Sequence, residues 1–158
     1  MTLIGVTGHQ QLPEESGAVL VPQVRDVVES VPPPVGVITA LAAGADQLVA
    51  REVLRHGGTL HAIVPAVGYE STLSGDDRRS YDQLLDEADR VTHLDFPEPS
   101  EQAYWAAGQE VVNRCDLLIA IWDGKPARGL GGTGDVVEYA RAAGKDVRVL
   151  WPGGTIRA

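Results

Sequence analysis

Four carboxylates and one imidazole stand beside glycine turns in this sequence. Asp46 follows Gly44-Ala45, Asp123 precedes Gly124, Asp135 and Glu138 follow Gly131-Gly132-Thr133-Gly134, and His9 follows Thr7-Gly8. Glycine lets a backbone turn tightly and lets a ligand come close. The first amides of a helix carry partial positive charge and have no partner within the helix, so an anion such as phosphate sits well there. Carboxylates next to such a cradle suggest a nucleotide site. Cleavage of a nucleotide's N-glycosidic bond would need one carboxylate near the anomeric carbon, as nucleophile or charge stabiliser, and one group to protonate the leaving base. Asp46, Asp123, Asp135 and Glu138 are candidates for the first role. His9, with an unperturbed pKa of ~6.5, is the candidate for the second. The expected ligand contacts are Thr7, Gly8, Gly44, Ala45, Gly131, Gly132, Thr133 and Gly134, with Tyr69 stacking on a base. Plainer roles stand beside these. Asp46 and Asp135 suit a helix N-terminus, Thr133 suits a cap, Glu138 suits solvent, and a strand-to-helix turn needs glycine whether or not it binds anything. Lys125 and Arg128 can neutralise phosphate or simply face solvent. Trp122 ends an apolar run and is expected in the core, while His61 and His93, within strands, are expected to be structural.

The elements that position these residues follow from apolar patterning. Short apolar runs at 3–7, 35–39, 59–64, 91–94, 117–122 and 147–151 read as strands. Segments of helical spacing separate them: one around Leu20 to Val31 with Pro22 in its first turn, then about 45–56, 76–88, 101–114 capped by Ser100, and 136–143. Pro32-Pro33-Pro34 and Gly57-Gly58 supply stops. Strand and helix alternate throughout. The expected fold class is therefore α/β: a doubly wound, mostly parallel sheet of about six strands in a Rossmann-like three-layer sandwich. Residues 1–152 are expected to form a single domain and 153–158 a short tail. In such a fold the ligand lies at the carboxyl ends of the strands, where strand order reverses.

Composition narrows the function. The chain has 158 residues and a net charge of −9, from 13 basic and 22 acidic side chains. An acidic surface repels polyanions, so nucleic acid is an unlikely partner. Cys115 is the single cysteine, which excludes an intrachain disulfide and fits a reducing cytoplasm. No apolar run approaches a membrane span, and the first residues do not read as a signal peptide. No His or Cys spacing suggests a zinc site. Metal and cofactor are expected to be unnecessary, and a small-molecule nucleotide is the expected partner, with a homodimer as the expected assembly.

Four motifs together carry a resemblance: Ile4-Gly5-Val6-Thr7-Gly8-His9, Leu41-Ala42-Ala43-Gly44-Ala45-Asp46-Gln47-Leu48, Ile119-Ala120-Ile121-Trp122-Asp123-Gly124, and Gly131-Gly132-Thr133-Gly134-Asp135-Val136-Val137. The chain resembles the SLOG superfamily, the Rossmann-like nucleotide-binding domains related to the DNA-processing protein DprA and to the LOG phosphoribohydrolases. The resemblance spans about residues 3–151. It implies a nucleotide or nucleotide-derived ligand held by the first, second and last glycine turns, in a sensor or carrier domain. The alternative it implies is a hydrolase of the N-glycosidic bond of a nucleoside monophosphate. LOG hydrolases carry Pro-Gly-Gly-x-Gly-Thr-x-x-Glu. With Gly132-Thr133 aligned to that Gly-Thr, the glutamate position falls on Val136, and no proline precedes Gly129. The related start Thr-Gly-His-Arg has Gln10 in its last place here.

Overall fold

The computed structural model describes residues 1–125, 130 and 132–152. Among these residues, six parallel strands form one sheet: β1 (Thr2–Gly8), β2 (Val35–Thr39), β3 (Thr59–Val64), β4 (Arg90–His93), β5 (Leu117–Ile121) and β6 (Asp146–Leu150). Their order across the sheet is β4-β3-β2-β1-β5-β6. Five helices connect them: α1 (Ser16–Ser30), α2 (Ala45–Arg55), α3 (Gly75–Glu87), α4 (Glu101–Arg114) and α5 (Thr133–Ala142). A short 3-10 turn, Tyr69–Thr72, lies between β3 and α3. This is the doubly wound α/β sandwich expected from the sequence. The segments 126–129, 131 and 153–158 fall outside the described residues, and with them the expected contact of Gly131 and the expected tail.

The two-residue period of a strand sorts the sheet's side chains between two layers. Ile4, Val6, Val37, Leu60, Val64, Leu117, Ile119 and Ile121 pack with α1, α2 and α3 on one face. Ile38, Ile63 and Leu118 pack with α4 and α5 on the other. All five residues of β5 are buried, as both-face coverage requires. α4 approaches the sheet closely because Gly5 has no side chain; a Cβ there would lie 2.9 Å from Val111 Cγ1.

Strand registers are fixed at the entrances. Asp116, just before β5, accepts from the Leu3 amide at 2.8 Å and donates its own amide to the Leu3 carbonyl at 2.8 Å. Asp89, just before β4, makes the same pair of bonds with Leu60, at 2.9 and 2.8 Å. Each aspartate thus clamps the start of a neighbouring strand.

Some local expectations need correction. α1 begins at Ser16, so Pro22 lies inside the helix rather than in its first turn. The ring is exposed there, on the face turned away from the buried Leu20 and Val24. α5 begins at Thr133 with Gly132 as its cap residue, so Thr133 is not the cap. Trp122 stands one residue beyond the end of β5 and is half-buried, not in the core. Its Nε1 donates to the Lys125 carbonyl at 2.8 Å, and the Arg141 guanidinium lies 6.0 Å from its ring. Ser100 does cap α4 as expected, its Oγ accepting from the Ala103 amide at 3.1 Å.

Candidate functional site

Strand order reverses between β1 and β5, which places the crevice of the fold at their carboxyl ends. The loops after β1 and β2 meet there without side chains between them. A Cβ on Gly8 would lie 2.3 Å from the Ala45 Cβ and 2.9 Å from the Ile121 carbonyl oxygen. Gly44 has φ of +78° and lies against the carbonyls of His9 and Gln10, each 2.5 Å from where its Cβ would be. The Ala45 amide donates to the His9 carbonyl at 3.1 Å. These two glycines are thus required by loop-to-loop packing, independent of any ligand.

A cavity of about 360 Å³ opens at this end of the sheet. The loop after β1 supplies Thr7, Gly8, Gln10 and Gln11; the loop after β2 and the start of α2 supply Ala42, Ala43 and Asp46. Pro65, Tyr69, Thr72, Ser74 and Asp77 come from the segment after β3. The far wall is one stripe of α4, Tyr104, Ala107, Gly108 and Val111, with Thr133 and Val136 of α5. Gly108 lets α5 close on α4, since a Cβ there would lie 3.0 Å from Val136 Cγ2.

Asp46 is the candidate carboxylate that the fold places on this cavity. It is only 9% exposed. Its Oδ2 accepts from the Ala42 amide at 3.2 Å, and Thr39 gives it a second hydrogen bond. Burial outweighs both and pushes its carboxyl up to about 7. The loop that holds it is strained. Leu41, fully buried, has φ of +57°, rare for a bulky side chain. Its amide donates to Thr39 Oγ1 at 3.0 Å, and its carbonyl accepts from Gln47 Nε2 at 3.2 Å. The same Gln47 nitrogen donates to the Asp77 carbonyl at 3.1 Å, tying the start of α3 to α2.

The other candidates are placed differently. His9 and Asp123 come together, buried, beside the cavity and not on its described wall. The Asp123 amide donates to His9 Nε2 at 3.2 Å, and that nitrogen is 3.4 Å from Asp123 Oδ1. The imidazole also meets Trp151 edge-on, with ring centroids 5.2 Å apart. Asp123 Oδ1 accepts from the Lys125 amide at 3.0 Å, closing a local turn. His9 thereby joins the loops after β1, β5 and β6. Asp135 is half-buried in the first turn of α5, and Glu138 is exposed. Neither belongs to the described wall, and neither do Gly132, Gly134, Gly44 or Ala45. Lys125 is exposed and Arg128 lies outside the described residues.

Tyr69 reaches the cavity but is only 5% exposed. It packs edge-on against Tyr81 at 5.7 Å and Tyr104 at 6.1 Å. Burial raises its phenol above the ordinary value, with the Asp46 charge adding to the effect. His61, half-buried in β3, bridges to β4 through Nε2 and Thr92 Oγ1 at 2.8 Å.

Sequence reasoning missed Tyr104, Asp77, Thr72, Ser74 and Gln11. Tyr104 had a findable signal, since 104, 107, 108 and 111 form one helical stripe. Asp77 had none, because it stands in an acidic run indistinguishable from a solvated face. Among the described residues, no group of three or more His, Cys, Asp or Glu is placed to hold a metal ion. No helix of the described residues is long and apolar enough to cross a membrane.

No family model matches the chain, and no curated protein matches it by sequence. Solved structures do match in three dimensions. DNA processing protein A (DprA) from Streptococcus pneumoniae superposes with a TM-score of 0.68 at 18% identity, covering 98% of this chain and 51% of its own. DprA from Helicobacter pylori, described for its single-stranded DNA binding mode, gives 0.63 at 12% identity, covering 94% and 64%. The molybdenum cofactor carrier protein MCP from Chlamydomonas reinhardtii gives 0.58 at 15% identity, covering 96% and 78%. The chain thus spans about half the length of the pneumococcal DprA. The chain shares the fold of these three proteins.

Proposed function

We propose that this chain binds a nucleotide or nucleotide-derived ligand at the carboxyl ends of its parallel strands, as a sensor or carrier domain. One observation carries the reading: the segments after β1, β2 and β3 and the start of α5, remote in sequence, all open on one cavity beside the strand-order reversal. Its size suits a small molecule, since ligand pockets run from about 300 to 1,000 Å³. A cofactor carrier is among the proteins that share the fold, in keeping with a carrier role. Cys115, buried and unpaired with any other cysteine, fits a reducing cytoplasm.

A second reading, hydrolysis of the N-glycosidic bond of a nucleoside monophosphate, is favoured by Asp46. A cavity carboxyl held near 7 is matched to general acid work at neutral pH. Asp77, on the same cavity, is then the candidate for the second carboxylate. Val136 in place of the LOG glutamate weighs the other way.

One experiment separates these readings. The protein is incubated with ribo- and deoxynucleoside monophosphates, modified purine nucleotides and NAD, and bound ligand and free base are measured by mass spectrometry. Binding without base release, weakened about tenfold by Thr133→Val, is the expected result. Base release that disappears in Asp46→Asn makes the chain a hydrolase. Neither binding nor release from any member of the panel removes the nucleotide reading altogether.

A further inference from the structure

We propose that Gln47 is a positioning residue of this cavity: its one buried carboxamide holds the loop around Asp46 and the first turn of α3 at Asp77, so that both acids face the same space. This deepens the ligand-binding reading above and rests on it for the function of the two acids.

Gln47 stands in the first turn of α2, where a long polar side chain ordinarily reaches water. Here it is only 2% exposed. A buried amide is costly unless its donors are satisfied. Nε2 carries two hydrogens, and two acceptors lie within reach: the Leu41 carbonyl at 3.2 Å and the Asp77 carbonyl at 3.1 Å. Neither acceptor belongs to α2. One is in the loop after β2 and the other is in α3.

The Leu41 bond closes a ring. Leu41, at φ of +57°, gives its carbonyl to Gln47 and its amide to Thr39 Oγ1, 3.0 Å away. The Thr39 hydroxyl in turn bonds Asp46, and the amide of Ala42 donates to Asp46 Oδ2 at 3.2 Å. Asp46 and Gln47 are neighbours, so the ring begins and ends in one helical turn. A bulky residue keeps a positive φ only where its surroundings enforce it. The Gln47 bond is one such restraint on Leu41. Without it, the loop is free to carry Ala42 away from Asp46. The Asp77 bond acts on another wall. It fixes the first turn of α3, and with it the Asp77 side chain that lines the cavity. A second tie between α2 and α3, Arg51 Nη1 to Ser80 Oγ at 2.7 Å, lies at the exposed surface, outside the ring.

Proton and nitrogen NMR of the full chain tests this without a ligand. In the wild type, the Ala42 amide and both Gln47 side-chain N–H signals should shift together as Asp46 titrates at about 7. All three transitions should vanish in Asp46→Asn. Gln47→Leu, close in volume but with no donor, should cut the pH-dependent shift of the Ala42 amide by at least half. Ser80→Ala, which loosens the same helix pair outside the ring, should leave that shift unchanged. The Leu60 amide, bonded to Asp89 Oδ2 at 2.9 Å, should keep its wild-type titration in every variant and so reports an intact fold. A second arm uses nucleoside monophosphates. The one that the wild type binds best should bind Gln47→Leu at least tenfold more weakly, and Ser80→Ala within threefold of the wild type. Gln47 signals indifferent to the Asp46 titration overturn the inference, and so does an Ala42 transition that survives Gln47→Leu intact. If Gln47→Leu does not fold, the wild-type and Asp46→Asn spectra decide the matter. Equal weakening of binding in Gln47→Leu and Ser80→Ala overturns the inference while the nucleotide reading stands. No binding by any monophosphate overturns the nucleotide reading, and the shifts then decide the positioning on their own.

Discussion

A carboxyl that is nine-tenths buried on a cavity wall gives up its proton reluctantly, and that reluctance shows in stability as well as in chemistry. The Asp46 carboxyl is raised from 3.8 to about 7 by burial. Between those two values the folded protein holds a proton that the unfolded chain has lost. Stability therefore falls as pH rises through this window, and the whole penalty is present above pH 7. Three units correspond to about 4 kcal/mol. Asp46→Asn, which keeps an oxygen for the Ala42 amide, removes the penalty. Its stability advantage over the wild type, measured by urea unfolding, should grow by about 3 kcal/mol between pH 5 and pH 8. A constant difference across that range would mean that Asp46 ionises normally. Asp46 was legible in the sequence because it follows a glycine turn at the end of a strand. Its partners were not. Thr39, Leu41 and Gln47 read as strand, loop and helix, and only the positive φ of Leu41 folds the loop back so that they serve one carboxyl.

At the scale of elements, the meeting of the loops after β1 and β2 depends on two missing side chains. Gly8→Ala should cost about 2–3 kcal/mol, because its methyl has Ala45 Cβ and the Ile121 carbonyl in its way. Adding Ala45→Gly should return at least half of that, a coupling of at least ~1 kcal/mol in a double-mutant cycle. Strict additivity would show that the two loops do not pack as described. The sequence marks both glycines but leaves their reason open, since a ligand's approach and a helix's approach make the same demand on the chain. Element identities were plain from periodicity, and β2 and β3 run over the expected residues. Element starts were less plain. α1 starts at Ser16, several residues before the apolar stripe begins at Leu20, so the stripe alone placed Pro22 too near the helix start.

For the whole molecule, charge and topology set the behaviour. A net charge of −9 opposes long polyanions even though DprA shares the fold. Single-stranded DNA titrated at 0.1 M salt and followed by fluorescence anisotropy should reach half-saturation only beyond ~100 µM, the weak limit of non-specific binding. Micromolar binding with a steep salt dependence would make DNA the ligand instead. The strand order that creates the crevice also has a cost in time. β1 lies inside the sheet between β2 and β5, and Ile4 is paired with both Val37 and Leu117. On a ribosome adding about 5–20 residues per second, the second partner of β1 is synthesised on the order of ten seconds after the strand itself. Through that interval the nascent chain holds a half-zipped sheet whose first strand has a bare flank, the kind of edge that recruits neighbouring chains. The same wiring that opens a pocket at the strand reversal leaves the growing polypeptide dependent on whatever shields that flank until its last third emerges.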